Sequence, residues 1–176
     1  TGEPIQYILG EAPFYGRSFG VTQDTLIPRN ETEELVHLIL KENPSSGLCI
    51  LDLGTGTGCI PISLALELKN PDVYALDVSA AALTVARQNA AQLGATIHFI
   101  EGSLLGEPIN LPLLDLIVSN PPYVPLRDQA EMHVNVLNFE PHLALFVPDE
   151  DPLVFYRAIG VWGQQLLKQG GKLYLE

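Results

Sequence analysis

From Leu48 onward, short apolar runs alternate with helical patterns, and this alternation constrains the fold more than any other feature of the chain. The runs are "LCILDLG" (48–54), "DVYALDV" (72–78), "TIHFIEG" (96–102), "LDLIVSN" (114–120) and "GKLYLE" (171–176). They are nearly continuous in apolar residues, as strands covered on both faces must be. Between the first three lie "CIPISLALELKN", with Pro61 in its first turn, and "SAAALTVARQNAAQLG", with Ser79 as N-cap and Gly94 as C-cap. Before the last run, "DPLVFYRAIGVWGQQLLKQGG" puts Tyr156, Ile159, Gly163, Leu166 and Leu167 on one face and stops at Gly170-Gly171. Strands alternating with helices in this way predict an α/β fold, doubly wound around a mostly parallel Rossmann-like sheet.

Residues 1–47 read differently and lead into the core of 48–176. "IQYILGEAPFYGRSFGVT" predicts an N-terminal β-hairpin turning near Tyr15-Gly16-Arg17. "NETEELVHLIL" predicts a helix with Asn30 as N-cap, Glu33 completing a capping box, and Leu35, Leu38 and Ile39 as its apolar stripe. Thr1 in place of a methionine suggests a chain cut from something longer. No apolar run approaches a membrane span, and no secretory leader pattern is present.

Glycines 54, 56 and 58, in "LDLGTGTG", stand directly after the first strand and before a helix. Glycine tolerates positive φ and lets a ligand approach the backbone, while the helix start offers free N–H groups. With Thr55 and Thr57 between them, these residues form a candidate cofactor turn, although a tight strand–helix turn alone would need the same glycines. Asp77 ends the second strand, where a carboxylate can take both hydroxyls of a ribose. A ribose diol belongs to NAD and to S-adenosylmethionine alike. Asp52, two residues before the first glycine, would repel a pyrophosphate and attract a sulfonium or ammonium, which tips the balance toward S-adenosylmethionine without closing the NAD alternative.

"SNPPY" ends the fourth strand, and its two prolines stiffen the backbone there. An NH2 group on a carboxamide or aromatic ring has a delocalised lone pair and attacks a methyl group poorly. The Asn120 side-chain oxygen and the Pro121 carbonyl could each accept one of its N–H bonds, aiming the lone pair, with Pro122 rigidifying the array and Tyr123 offering a flat face. A rigid turn is the plain alternative for this tetrapeptide.

The glycine turn followed by "SNPPY" resembles class I S-adenosylmethionine-dependent methyltransferases acting on planar nitrogen. "GEPIQYILGEAPFYGRSFGV", "TLIPRNETEELV", "LDVSAAALTVARQNA" and "FEPHLAL" narrow the resemblance to the HemK/PrmC family, which methylates a glutamine side chain in peptide chain release factors. The resemblance implies the methyltransferase form of the Rossmann-like sheet, with strand order 3-2-1-4-5 for the strands present. It also implies S-adenosylmethionine contacts at Gly54 to Gly58, Asp77 and Asn120, and glutamine contacts along Asn120, Pro121, Pro122 and Tyr123. Leu104 stands near the adenine, where the family usually has an aromatic, and Asn30 stands where the family usually has proline. Family members carry a further N-terminal helical domain and two more strands. The partner implied is a release factor. A nucleic-acid amino methyltransferase acting on adenine or guanine is the alternative, since the same tetrapeptide logic serves a flipped base.

The net charge of −12 disfavours that alternative, because phosphate binding depends on Lys and Arg. Arg29, in "LIPRN", can reach the site from the hairpin–helix junction to hold substrate or cofactor carboxylate, or can face water. Cys49 and Cys59 match no metal spacing and read as buried thiols, which suits a reducing cytoplasm; no metal is expected. The four histidines have no partner at ligand spacing.

Overall fold

The computed structural model describes residues 2–176; Thr1, the residue that suggested a cut chain, lies outside them. Helix α1 (Ile5–Leu9) precedes the hairpin strands β1 (Glu11–Phe14) and β2 (Arg17–Gly20). The turn is Tyr15-Gly16, both at positive φ (47° and 73°), where the sequence places it. Ile5–Leu9 was expected to extend the hairpin and is helical instead. Gly10 ends it at φ 73°, its N–H reaching the Gln6 carbonyl, and a left-handed glycine cap outweighs the β propensity of two isoleucines.

Helix α2 (Asn30–Glu42) starts one residue earlier than the capping-box reading, with Arg29 at the N-cap and no side-chain cap. Glu33 is drawn away, its Oε1 accepting the Tyr15 backbone N–H at 2.9 Å. The buried stripe is Thr32, Val36 and Ile39, whereas Leu38 is exposed. A tertiary contact to the hairpin has won over local capping.

Then come β3 (Cys49–Leu53), α3 (Cys59–Glu67), β4 (Asp72–Asp77), α4 (Ala80–Leu93), β5 (His98–Glu101) and β6 (Leu114–Ser119). Ser79 caps α4 by accepting the Ala82 N–H, and Gly94 closes it in the left-handed conformation, as read from the sequence. A small parallel pair, β7 (Val124–Pro125) and β8 (Phe146–Val147), brackets the helix α5 (Val134–Phe139). Helix α6 (Val154–Leu166) runs directly into β9 (Leu167–Leu175), so the last strand begins four residues before the expected Gly171. Its buried face is Ile159, Trp162 and Leu166. Trp162 can be fully buried because its Nε1–H donates to the Leu104 carbonyl at 3.0 Å.

The central sheet is parallel throughout, in the order β5-β4-β3-β6-β9, which is the expected 3-2-1-4-5. Residue alternation along β3 splits the core. Ile50 faces α2, α3 and the hairpin phenylalanines Phe14 and Phe19, whereas Leu51 and Leu53 face α6. Cys49 and Cys59 are both buried and unpaired. Among the described residues, no helix is long and apolar enough to cross a membrane.

Candidate active site

At the carboxyl ends of β3, β4 and β6 the sheet opens into a cavity of about 310 Å³. Doubly wound sheets bind their ligands at this end. Gly54, Gly56, Asp77 and Leu104 line one side, the glycine wall; Asn120, Pro121 and Pro122 line the other, the asparagine wall. A wider open groove of about 980 Å³ runs along α2 beside Leu175, away from all of these residues.

The glycine wall is held by its own backbone. Gly54 and Gly56 have φ of 78° and 55°, and a Cβ on either would meet nothing within 4 Å, so the space above them is open to a ligand. Gly58 differs. A Cβ there would lie 2.9 Å from Ile62 Cδ1 and 3.2 Å from Ala86 Cβ, so this glycine lets α3 pack against α4. The turn's N–H groups are largely committed: those of Gly54 and Thr55 donate to the Leu76 carbonyl at 2.8 and 3.1 Å, and that of Gly58 to the Thr55 carbonyl at 2.9 Å. The Gly56 N–H donates to Asp77 Oδ2 at 2.8 Å, and the Ser79 N–H to Asp77 Oδ1 at 2.9 Å. Each carboxylate oxygen keeps a free lone-pair direction.

Asp52 lies beneath the turn, not on the cavity wall. It shares the Ile50 side of β3 and is fully buried, and neither carboxylate oxygen has a hydrogen-bond partner. Burial pushes its pKa up to about 7; the nearby Thr55 hydroxyl works against this, and the Asp77 charge adds to it. Burial likewise lifts the Cys59 thiol to about 12. Thr55 and Thr57 are buried behind the turn. The Thr57 carbonyl accepts from Asn89 Nδ2 at 2.9 Å, and the same amide group grips the hairpin, with Nδ2 donating to the Gly20 carbonyl at 3.0 Å and Oδ1 accepting the Gly20 N–H at 2.7 Å.

The asparagine wall is drawn from distant segments. Ser119 Oγ donates to the Leu53 carbonyl at 2.6 Å, locking the end of β6 beside the end of β3. Asn120 follows, half-buried, its Nδ2 donating to Thr32 Oγ1 at 3.4 Å. Pro121 is buried and Pro122 partly so; Tyr123 is 53% exposed and stands off the cavity wall. Arg29 is also off that wall. Its Nη2 donates to Glu140 Oε1 at 2.6 Å, while Glu140 Oε2 accepts the Ile27 N–H at 3.2 Å. The Glu140 side chain is almost fully buried, so it clasps the segment before α2 to the loop after β7.

Sequence reading missed contributors from three segments. Thr25 and Leu26 reach the cavity from between β2 and α2, and Pro141 and Ala144 from beyond Glu140. Their sequences carry no local signal for this. Phe155 enters from α6 and brings an aromatic ring to the side where Leu104 stands. Its position one turn before the buried Ile159 could have revealed it.

Comparison with known proteins points to a methyltransferase domain. The profile of the methyltransferase small domain family matches residues 31–138. A release factor glutamine methyltransferase of Bacteroides thetaiotaomicron is 53% identical over 99% of this chain, and one of Flavobacterium psychrophilum 52% over 99%. The chain spans 63% and 62% of the length of those two relatives. Among solved structures, the ribosomal protein L11 methylase of Lactobacillus delbrueckii matches 85% of this chain and 61% of its own length, at 23% identity and a TM-score of 0.58. At that identity the likeness concerns the fold.

Proposed function

The chain belongs to the methyltransferase small domain family, and from that premise we propose that it transfers a methyl group from S-adenosylmethionine to the side-chain amide nitrogen of a glutamine in peptide chain release factors. One observation carries the reading: Asn120, Pro121 and Pro122 face Gly54, Gly56 and Asp77 across a single cavity. The names of the relatives support the acceptor, and the net charge of −12 weighs against a nucleic-acid acceptor. We place the reaction in the cytoplasm, where translation supplies the partner.

The residues present fit S-adenosylmethionine better than NAD. A pyrophosphate needs free N–H groups at the glycine turn, and here Gly54, Thr55, Gly56 and Gly58 have already used theirs. Asp52, buried and unpartnered under the same turn, would favour a cation above it in its ionised form. Asp77 would hold the ribose hydroxyls, Gly54 and Gly56 would admit the methionine part, with Thr55, Thr57 and Gly58 shaping the turn. Leu104 and Phe155 would cover the base. Bound there, S-adenosylmethionine supplies an electrophilic methyl group and departs as a neutral thioether.

The chain's own contribution is positioning. Asn120 Oδ1 and the Pro121 carbonyl each accept one N–H of the glutamine amide, turning its nitrogen lone pair toward the glycine wall. Two oxygens fixed in place stabilise the growing positive charge on that nitrogen without reorganising. Its surplus proton leaves to solvent, so no ionised base is required. Pro122 restricts the backbone behind the pair, whereas Tyr123, exposed and off the cavity wall, has no part in holding the amide in this arrangement. Arg29 is occupied by Glu140, so its role is to hold the hairpin-and-α2 segment (1–47) against the 48–176 core. Mass spectrometry of release factor incubated with the protein and S-adenosylmethionine is expected to find one added methyl group on a glutamine. Labelled methyl on DNA or ribosomal RNA, with none on release factor, would overturn the proposal.

A further inference from the structure

We infer that Thr32, on the first turn of α2, is a positioning residue that sets which end of the Asn120 amide faces the acceptor. The inference rests on the methyltransferase reading of Asn120 and extends it to a residue outside the tetrapeptide. An asparagine side chain is nearly symmetric in shape, and its two ends do opposite things: the oxygen accepts hydrogen bonds and the nitrogen donates them. Presented to an NH2 group, the oxygen binds it and the nitrogen repels it. Asn-Pro-Pro-Tyr has no group of its own that chooses between these two rotations.

Thr32 meets the nitrogen end: a threonine hydroxyl can accept or donate, and here it accepts from Asn120 Nδ2. It is buried at 3% exposure, on the same face of α2 as Val36 and Ile39, and its Oγ1 lies 3.4 Å from Asn120 Nδ2 across 88 residues of chain. With the nitrogen engaged there, Oδ1 is left for the cavity. The contact is long for a hydrogen bond, as catalytic contacts often are before the substrate complex forms, and tightens as an acceptor draws Asn120 forward. The elements on both sides are rigid. Ser119 ties the end of β6 to Leu53, and Glu140 holds the approach to α2 through Ile27 and Arg29. The amide therefore rests between two fixed points.

The test compares Thr32→Val, which keeps shape and loses the hydroxyl, with Thr32→Ser, which keeps the hydroxyl. Asn120→Ala serves as the reference for loss of the contact itself. The expected result for Thr32→Val is a kcat roughly ten- to a hundredfold lower, with KM for release factor and Kd for S-adenosylmethionine within threefold of wild type. Thr32→Ser retains kcat within threefold. The Asn120 side-chain NH2 signals, assigned by their absence in Asn120→Ala, are expected to shift in Thr32→Val and to stay in place in Thr32→Ser. Unchanged kcat and unmoved NH2 signals in Thr32→Val would overturn the inference. So would a loss in Thr32→Val that Thr32→Ser shares, because that pattern marks a packing role. If wild type transfers no methyl to release factor, the proposed function fails, and the NH2 signals still decide whether Thr32 holds the amide.

Discussion

The two walls of the cavity are built in opposite ways. The glycine wall comes chiefly from one strand–turn–helix–strand unit, β3 to β4, and its contacts close within some twenty residues, as with Gly56 to Asp77 at a separation of 21. The asparagine wall gathers Thr25 and Leu26, Asn120 to Pro122, and Pro141, Leu143 and Ala144, held by contacts spanning 88 residues (Asn120 to Thr32) and 113 residues (Ile27 to Glu140). The first is mostly a local device, tied to the hairpin through Asn89. The second exists only when the hairpin, α2 and the loop beyond β7 have all docked. Binding of the methyl source and presentation of its acceptor should therefore fail separately.

Asn120→Ala should break the asparagine wall most deeply. Transfer should fall by roughly a hundred- to a thousandfold, the range for losing one fixed transition-state contact, while calorimetry finds S-adenosylmethionine affinity within a few-fold. An equal loss of both would erase the distinction between the walls.

Asp52 tests the glycine wall through pH. Its carboxyl holds a proton more tightly folded than unfolded, because burial raises it from 3.8 to about 7. The folded state therefore carries the extra proton between those values, and the stability that this group contributes is fully present below about pH 4 and is lost as pH rises through about 7. Denaturant titrations should show Asp52→Asn free of this decline, leaving it more stable than wild type at pH 8 by on the order of 2–4 kcal/mol. A parallel pH profile in the two proteins would mean that Asp52 is already charged in the folded state.

Asp77→Ala removes the acceptor for the Gly56 and Ser79 N–H groups as well as a ribose contact. Cofactor affinity should drop roughly ten- to a hundredfold, the value of hydrogen bonds to a charged group, with kcat at saturating cofactor much less affected. The smallest effect is expected for Glu140→Gln. Arg29 is about a third exposed, so the pair is screened and its loss should cost only about 1 kcal/mol. The sharper readout is functional: KM for release factor should rise several-fold while cofactor Kd holds. A rise in cofactor Kd instead would show the two walls to be coupled.

The same division explains what could be read before any coordinates. The Ser79 and Gly94 caps, the glycine turn and Asp77 follow from patterns within a few dozen residues, whereas the strand order came from the family resemblance; the structure has them all. The capping box at Asn30 failed because Tyr15, on a different element, claimed Glu33. Leu38 was assigned to the core of α2 and Thr32 was not, since apolar periodicity cannot see a buried hydroxyl that has a partner 88 residues away. Gly58 was read as ligand-facing on its motif alone, whereas its neighbours Ile62 and Ala86 show a packing demand. Asp52 was read as facing the cofactor; strand alternation, followed through, puts it under the turn.

Asn89 has a consequence for experiment. One carboxamide serves Gly20 of the hairpin and Thr57 of the glycine turn, so neither can drift by an ångström without unseating the other. The backbone amide of Gly20 thus becomes a remote gauge: hydrogen–deuterium exchange at that one site should slow when the turn, 37 residues further along the chain, tightens around a bound small molecule.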